Sequence, residues 1–436
     1  MSIKPYPKYK DSGVEWLGMV PEGWEVKPLK SVASHNDETI DESHDVDSEI
    51  LYVDISGVDA SKGIQMKEAL RFGEAPSRAR RIVKNGDVIV STVRTYLRAI
   101  APVKNPEPNL VVSTGFAVIR SKDRLDPHFS PYVLSAAHFI EQVIARSVGV
   151  SYPAINASDL VRIPVPLPTL AEQSAIASFL DHETSKIDAL IAEQEKLIEL
   201  LKEKRSAVIS HAVTKGLNPD VKMKDSGVEW LGMVPEHWEV KPLFGCAKER
   251  SERNVGMVNN NLLSLSYGRI IQKDISSSDG LLPESFETYQ IVHDGDSVLR
   301  LTDHQNDKRS LRSGLVTQEG IITSASVAVQ PTGMEAIFFA NLFRAYDVTK
   351  VFYSMGGGLR QSMKFSDLKR LPVLIPPISE QSAIASFLDH ETAKIDSLTT
   401  EAQQGINLLQ ERRSALISAA VTGQIDVRDF NPSKAA

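Results

Sequence analysis

One stretch of thirteen residues occurs twice without change, and it constrains the fold more than any other feature. EQSAIASFLDHET begins at Glu172 and again at Glu380. Each copy opens a run of about 40 residues without proline, in which Ala, Leu, Glu, Gln, Lys and Arg dominate. Each run therefore predicts one long helix, of roughly 60 Å at 1.5 Å per residue.

Apolar residues in both predicted helices recur on a seven-residue grid, which is the spacing of a coiled coil. Polar residues and Gly405 interrupt the grid, and Gly405 is expected to weaken its helix locally. We expect the two helices to bury this seam against each other as an intramolecular coiled coil. The alternative is two separate amphipathic helices, each on its own domain. The grid positions are Ile176, Leu180, Ile187, Leu190, Leu197, Leu201 and Val208, then Ile384, Leu388, Ile395, Leu398, Leu409 and Leu416.

The ends of the two predicted helices carry capping signals. Thr169 and Glu172 form a capping-box pattern at the first helix. At the second helix either Ser379 caps the start or Pro377 lies in the first turn. Gly216 and Gly423 are placed to end the two helices.

A second repeat frames the first. KDSGVEWLGMVPE begins at Lys10 and returns at Lys224, directly after the first predicted helix. A period of about 210 residues is too long for a solenoid, so it indicates a duplicated domain. Between the frames the sequences differ, but matching strands and helices predict two α+β domains of one fold. The matching segments are 82–90 and 291–299, 111–119 and 321–329, 131–145 and 334–348, and the proline-containing strands 163–166 and 371–373.

Composition limits the classes of protein to which the chain can belong. Its 436 residues contain no apolar run near the ~20 needed to cross a bilayer, and residues 1–5 lack the apolar core of a signal peptide. We therefore expect a cytoplasmic protein without membrane contact. Cys246 is the single cysteine, which excludes an internal disulfide and favours a packing role. The net charge of −7 argues against uniform binding of nucleic acid but leaves local basic patches possible.

Catalytic motifs are missing from the sequence. It has no phosphate-binding GxxxxGK loop, no GxGxxG fingerprint and no Asn-Pro-Pro-aromatic motif. Asp181, His182 and Glu183 suggest a metal site at first sight. Neighbouring helical positions point in different directions, however, so these side chains are not expected to converge on one ion.

Polar and basic residues cluster at equivalent places in the two variable blocks. Arg, Lys, Asn and Gln read base edges, whereas Ser, Thr and Tyr bind phosphates, so the clusters favour reading of DNA. For each residue the alternative is an ordinary solvated loop. The candidates in the first block are Arg78, Arg81, Ser91, Thr92, Arg94, Thr95, Tyr96, Arg98, Ser151 and Tyr152. Those in the second are Arg300, Thr302, His304, Gln305, Asn306, Lys308, Arg309, Arg312, Arg360, Gln361, Ser362 and Lys364.

These motifs together resemble the specificity subunits of Type I restriction–modification systems. The resemblance rests on DSGVEWLG at 11–18 and 225–232, EQSAIASFLD at 172–181 and 380–389, and AVTGQIDV at 420–427. It implies two similar target recognition domains, joined by two long helices that pair as an antiparallel coiled coil. Each domain would read one half of a split, asymmetric double-stranded DNA target, and the helices would set the spacer. The implied segments are 1–168, 169–214, 215–377, 378–423 and a tail at 424–436.

The resemblance also implies the partners. The chain would have no catalytic activity and would bind no cofactor of its own. Two methyltransferase subunits would supply S-adenosylmethionine, and restriction subunits would use ATP and magnesium. We place the methyltransferase contacts at Asp181, Glu183, Asp389 and Glu391, which lie in the identical first turns. The competing hypotheses are a coiled-coil adaptor that binds proteins and a fused restriction–methylation enzyme, which the missing motifs disfavour.

Overall fold

The computed structural model describes residues 4–275, 285–302, 311–352 and 363–430. The chain divides into two compact units, the first made of 1–194 and 404–436 and the second of 195–403. Within the described residues, no helix is long and apolar enough to span a membrane. The helices are α1 Ser130–Ser135, α2 Ala137–Ala145, α3 Ala157–Leu160, α4 Leu170–Lys215, α5 Ala336–Val348, α6 Phe365–Leu368 and α7 Ile378–Val421.

The first unit contains two four-stranded sheets, in the strand orders β11-β10-β13-β4 and β8-β5-β12-β9, and the strand pairs β1–β2, β6–β7 and β3–β14. Its strands are β1 Tyr9–Asp11, β2 Met19–Pro21, β3 Glu25–Pro28, β4 Ala33–His35, β5 Glu49–Val53, β6 Val58–Asp59, β7 Gly63–Ile64, β8 Glu68–Arg71, β9 Ala79–Ile82, β10 Val88–Ser91, β11 Ile100–Pro102, β12 Leu110–Ser113, β13 Phe116–Ser121 and β14 Pro164–Leu167. The prolines of β14 are tolerated because β14 pairs with β3 alone.

The second unit repeats the first of these sheets as β23-β22-β25-β18, and the pairs β1–β2 and β3–β14 as β15–β16 and β17–β26. The pairs β21–β24 and β19–β20 take the places of β9–β12 and β5–β8, and a parallel bridge between Leu262 and Ile321 corresponds to the parallel pairing of β5 with β12. Its strands are β15 Met223–Asp225, β16 Met233–Pro235, β17 Glu239–Pro242, β18 Ala247–Glu249, β19 Leu263–Ser266, β20 Arg269–Gln272, β21 Gln290–Val292, β22 Ser297–Leu299, β23 Ser313–Leu315, β24 Gly320–Ile322, β25 Val327–Pro331 and β26 Pro372–Ile375. The prediction of two α+β domains of one fold is confirmed.

The long helices pair in antiparallel fashion inside each unit. In the first unit Asp188 of α4 binds Arg413 of α7 at 2.8 Å. Phe179, nearer the start of α4, packs against Phe430, which follows the end of α7. In the second unit Arg205 binds Asp396 at 3.0 Å. Asp188 and Asp396 occupy equivalent repeat positions, as do Arg205 and Arg413. Each unit therefore holds one copy of the same ion pair.

The seven-residue seam is only partly right. Ile187, Leu201 and Ile395 are buried as predicted, but Leu190, Leu197 and Leu398 are 46%, 41% and 44% exposed. Buried isoleucines recur every eleven residues instead, at 176, 187, 198 and 209 in α4 and at 384, 395, 406 and 417 in α7. An eleven-residue repeat corresponds to about 3.67 residues per turn, so the paired helices need no left-handed supercoil. Gly405 is on the seven-residue grid but not in this isoleucine set, and a Cβ added there would meet nothing within 4 Å.

The capping predictions are confirmed at the first helix and partly wrong at the second. The Thr169 and Glu172 side chains accept hydrogen bonds from each other's backbone N–H groups, at 3.3 and 3.2 Å. Helix α7 begins at Ile378, so Ser379 lies inside it. The carbonyl of Pro377, just before the helix, accepts the N–H of Gln381.

The helix ends pack on the opening motifs. Gly216 and Gly423 both adopt a left-handed backbone, with φ of +79° and +74°. A Cβ on Gly423 would collide with Pro21, and one on Gly216 would press against Trp238. In the first unit, the Tyr9 hydroxyl donates to the Gly423 carbonyl at 2.9 Å, and Lys4 forms a backbone bridge with Asp426. The residues after α7 are thereby joined to those before β1.

Candidate nucleic-acid interface

The segment that follows β10 in the first unit combines buried hydroxyl groups with exposed larger side chains. Ser91, Thr92 and Thr95 are buried. Their hydroxyls donate to the carbonyls of Val93 and Gly115 and to the hydroxyl of Ser147, respectively. These three candidates fix the shape of the segment from inside.

Two arginines in this segment have a strained backbone. Arg94 and Arg98 adopt left-handed conformations, with φ of +53° and +52°, on either side of a single 3₁₀ turn. Non-glycine residues pay on the order of 1 kcal/mol or more for this conformation, and such strain concentrates at functional sites. The turn leaves Arg94, Tyr96 and Arg98 exposed to solvent.

A second segment, 147–155, joins the first. The Ile155 N–H donates to the Thr92 carbonyl at 2.9 Å, and Val93 forms a backbone bridge with Ala154. The guanidinium of Arg94 lies over the ring of Tyr152, 4.8 Å from its centroid. The structure therefore brings together Arg94 and Tyr152, while the neighbouring Ser151 is also exposed.

The candidates on β9 and just before it have partners within the protein. Arg78 is exposed but donates to the Tyr52 hydroxyl and to Asp54, at 3.2 and 2.8 Å. These contacts raise the pKa of Arg78, with the Tyr52 hydrogen bond as the largest cause. Arg81 is half-buried, and burial lowers its pKa. Both remain cations at neutral pH, but Arg81 is the less accessible of the two.

The second unit has the same junction of two segments. The Met363 N–H donates to the Leu301 carbonyl at 2.9 Å, as Ile155 does to Thr92. Arg300 and Lys364 are exposed on the two sides of this junction, and Thr302 is half-buried. The remaining candidates of this block, His304, Gln305, Asn306, Lys308, Arg309, Arg360, Gln361 and Ser362, lie outside the described residues.

Arg312 supports this junction from within the second unit. It is only 3% exposed, and its guanidinium donates to the carbonyls of Thr302 and Arg300, at 2.6 and 3.3 Å. Its backbone N–H also donates to the carboxylate of Asp347. Arg312 thus holds the end of β22 in place, and its side chain does not face solvent.

The four residues predicted to dock partners lie near the starts of α4 and α7. Asp181 is exposed and accepts a hydrogen bond from the Tyr132 hydroxyl at 2.6 Å. Glu183 and Glu391 lie 3.3 and 3.9 Å from lysines one turn further along, and Asp389 is exposed. Among the described residues, no group of three His, Cys, Asp or Glu side chains could hold a metal ion.

Sequence reasoning missed how the repeated Glu-Gln pair anchors each helix to its domain. Glu172 accepts the indole N–H of Trp24, and Glu380 accepts that of Trp238, at 3.3 and 3.0 Å. The buried amide of Gln173 binds three backbone groups of the first unit. The signal was the identity of these two residues at both helix starts.

Cys246 is a packing residue, since it is buried and burial raises its pKa to about 11.

Comparison with known proteins agrees with this architecture. Residues 21–200 match the Type I restriction modification DNA specificity domain. The chain is 23% identical over 435 residues to a putative type I restriction enzyme specificity subunit, MjaX, of Methanocaldococcus jannaschii. The alignment covers 94% of this chain and 96% of that protein. It is 21% identical to the EcoKI specificity subunit of Escherichia coli, which covers 71% of this chain and 68% of that protein.

A solved structure shares the fold over most of the chain. It comes from a study of complex assembly and conformational transition of the type I R-M system. Its TM-score is 0.64 at 20% identity, with 92% of this chain and 98% of that chain covered. With the duplicated frames and the paired helices, the family-model match and the two relatives support a specificity subunit of a Type I restriction–modification system.

Proposed function

We propose that this chain gives a Type I restriction–modification complex its DNA sequence specificity. Each unit would read one half of a split target in double-stranded DNA. The observation that carries the proposal is the junction found in both units, which displays Arg94 and Tyr152 in the first and Arg300 and Lys364 in the second. Because the two junctions differ in sequence, the two half-sites should differ and the target should be asymmetric.

Exchange of one variable block tests this modular reading. Residues 30–155 would be replaced by the block of a related chain, and the target would be mapped by methylation-sensitive sequencing. One half-site should change while the other stays the same. A change in both half-sites would contradict the assignment of one half-site to each unit.

A single-residue test uses two exposed arginines of the first unit. Arg94→Ala should lower affinity for the mapped target about 10- to 100-fold, if Arg94 makes a bidentate base contact. Arg71→Ala on β8 is the matched control, because it removes the same charge from an exposed position. If the two variants lowered affinity equally, Arg94 would contribute only through its positive charge and not through a base contact. Phosphate contacts release counterions, so binding to DNA should weaken as salt is added. If retention on DNA did not depend on salt, a protein-binding adaptor would be favoured instead.

We propose that the paired helices set the length of the unread spacer. The proposal is supported by the equivalent ion pairs, which give both units the same antiparallel register. An insertion of eleven residues keeps the buried face in phase, whereas seven residues would rotate it. Twenty-two residues add about 33 Å, which is close to one turn of DNA at roughly 34–36 Å.

The matched insertion would add two further copies of residues 191–201 to α4 and two further copies of residues 400–410 to α7. In its own helix each segment lies three residues from Asp188 or Arg413 and four residues from Arg205 or Asp396, the residues of the two ion pairs. The spacer should lengthen by about 10 base pairs with both half-sites unchanged. A single duplication should weaken binding, because about 5 base pairs turn one half-site to the opposite face of the duplex. An active complex with its original spacer would show that another element sets the distance.

The partners complete the proposal. Two methyltransferase subunits would dock at Asp181, Glu183, Asp389 and Glu391, and restriction subunits would join them. S-adenosylmethionine, ATP and magnesium would act on those partners, and the chain alone would be non-catalytic. Purified chain incubated with DNA and all three should form no product; turnover by the chain alone would contradict this. Reversal of Asp389 and Glu391 to lysine should reduce methyltransferase capture, with the double variant Glu401→Lys/Glu411→Lys, at exposed positions further along α7, as the control with the same change of charge.

A further inference from the structure

The segment 147–153 of the first unit presents aliphatic side chains to solvent. Val150 is fully exposed, and Val148 is 81% exposed. Isolated apolar residues on a surface are common, but two exposed valines two residues apart on one bend are less so. The sequence analysis did not select either residue, because valine donates and accepts no hydrogen bonds through its side chain.

The bend that carries the valines is fixed at its base. Val148 and Ala154 exchange both backbone hydrogen bonds, at 2.8 and 3.0 Å. The Ser147 hydroxyl accepts from Thr95 and donates to the Val143 carbonyl. Between the valines, Gly149 has φ of +116°, and a Cβ there would lie 3.2 Å from the Tyr152 carbonyl oxygen. Only glycine fits this position without strain.

The charge around the bend suits DNA. Residues 91–98 and 146–154 together contain Arg94, Arg98 and Arg146, all exposed, and no aspartate or glutamate. Such a surface attracts phosphate groups. Tyr152 lies on the same bend as the valines, and its ring contacts the guanidinium of Arg94, a candidate for reading bases.

We propose that Val148 and Val150 read the methyl group of a thymine in the half-site recognised by the first unit. Among the four unmodified bases only thymine presents a methyl group in the major groove, and that group is the apolar feature that an aliphatic side chain can contact there. The contact would bury the exposed valine surface and add specificity that the arginines alone do not supply. This inference rests on the proposed function, since it requires sequence-specific binding of duplex DNA.

The test removes the methyl group from the DNA. Duplexes carrying the mapped target would each contain uracil in place of one thymine, and the complex used for mapping would be titrated against each. At one position of the first half-site, uracil should weaken binding about fourfold, the value of one buried methyl group. The variant Val148→Ser/Val150→Ser, which has no methyl groups at these positions, should bind the thymine and uracil duplexes equally. Val46→Ser, at a valine that is 58% exposed elsewhere in this unit, should retain the preference for thymine.

The outcomes separate this inference from the proposed function. A specific target with no position sensitive to uracil overturns the inference and leaves the proposed function intact. A preference for thymine that survives in the double variant also overturns it. If the double variant bends DNA less and uracil has no effect, the valines act as a wedge between base steps instead. The absence of any specific target would contradict the proposed function itself.

Discussion

The two units bury equivalent aspartates, but the arginines that form ion pairs with them come from different parts of the sheet. In the first unit Asp87 accepts the N–H of Lys84 and two hydrogen bonds from Arg120 on β13, both at 2.8 Å. In the second unit Asp296 accepts the N–H of His293 and two hydrogen bonds from Arg250, which follows β18. Strands β4 and β13 are neighbours, as are their counterparts β18 and β25.

This difference shows what the duplicated fold requires. A buried carboxylate must be paired and hydrogen-bonded, but the fold does not fix which neighbouring strand supplies the cation. The frames at the ends of each block are identical in sequence because they hold the helices. The blocks between them can change residue by residue while each buried charge stays neutralised. Recognition surfaces can therefore differ between the units on one common scaffold.

The largest expected effect comes from removal of either arginine. Arg120→Ala and Arg250→Ala should each destabilise their own unit by about 3 kcal/mol, because Asp87 and Asp296 would be left buried without a cation. Amide hydrogen exchange, which reports on each unit separately, would measure the change. Arg124→Ala removes an exposed ion pair with Glu25 and should cost less than about 1 kcal/mol. Loss of protection in both units from one substitution would contradict independent neutralisation.

The helix anchors allow a finer comparison. Gln173 binds three backbone groups, from Asp126, Arg124 and Pro168, whereas Gln381 binds two, from Glu335 and Pro376. Gln173→Ala should therefore cost about 2–3 kcal/mol and Gln381→Ala about 1–2 kcal/mol. Urea denaturation and hydrogen exchange of the two variants would check this order. The reverse order would mean that packing outweighs the hydrogen bonds.

Acid should weaken the first unit more than the second. His138 stacks on Trp16, with 5.5 Å between ring centroids, and burial lowers its pKa from 6.5 to about 4. The folded state favours the neutral ring, so its contribution is full above pH 6.5 and is lost as pH falls toward 4. In the second unit Trp230 packs against Tyr346, whose pKa is raised by burial.

The variant His138→Phe tests the acid effect. As pH falls from 7 to 4.5, the free energy of unfolding of the first unit in this variant should rise relative to that of the unmodified chain by on the order of 2 kcal/mol. Hydrogen exchange of the first unit would measure this difference. His211→Phe, at an exposed position on the part of α4 that belongs to the second unit, is the control for replacing a histidine with phenylalanine. A stability difference that does not vary with pH would show that His138 acts through packing alone.

The smallest effect is expected at the equivalent ion pairs between the helices. Arg413→Ala and Arg205→Ala should each cost under about 1 kcal/mol, because both pairs are partly exposed to solvent. Asp188→Arg should be worse through repulsion, and the double variant Asp188→Arg/Arg413→Asp should recover most of the loss. Thermal unfolding at low and high salt would measure the coupling. Without recovery, the pair would have no role in register.

Much of the scaffold could be predicted from the repeats, but only part of the buried face of the helices could. Isoleucine and leucine stand side by side in α4, as at Leu190–Ile191 and Leu197–Ile198, so two apolar phases fit the same sequence. Contacts with the partner helix select the isoleucine phase, and periodicity alone does not contain that information. The capping box was predictable because its interactions are local.

The candidate interface divides in the same way. Residue types identified the right segments, and the structure places Arg94 and Tyr152 in contact. Sequence reasoning did not separate exposed arginines from Arg312, because its burial depends on carbonyls of a different strand end. It also missed Val148 and Val150, whose exposure arises from a bend that Gly149 makes possible.

The contacts of Lys4 and Tyr9 with Asp426 and Gly423 have a topological consequence. In the second unit the chain runs covalently from Gly216 to Met223, whereas in the first unit the equivalent junction is closed by hydrogen bonds. The fold is therefore compatible with a circular permutation. A chain opened between 217 and 222, with residue 430 linked to residue 4, would keep both junctions and exchange only which of them is covalent.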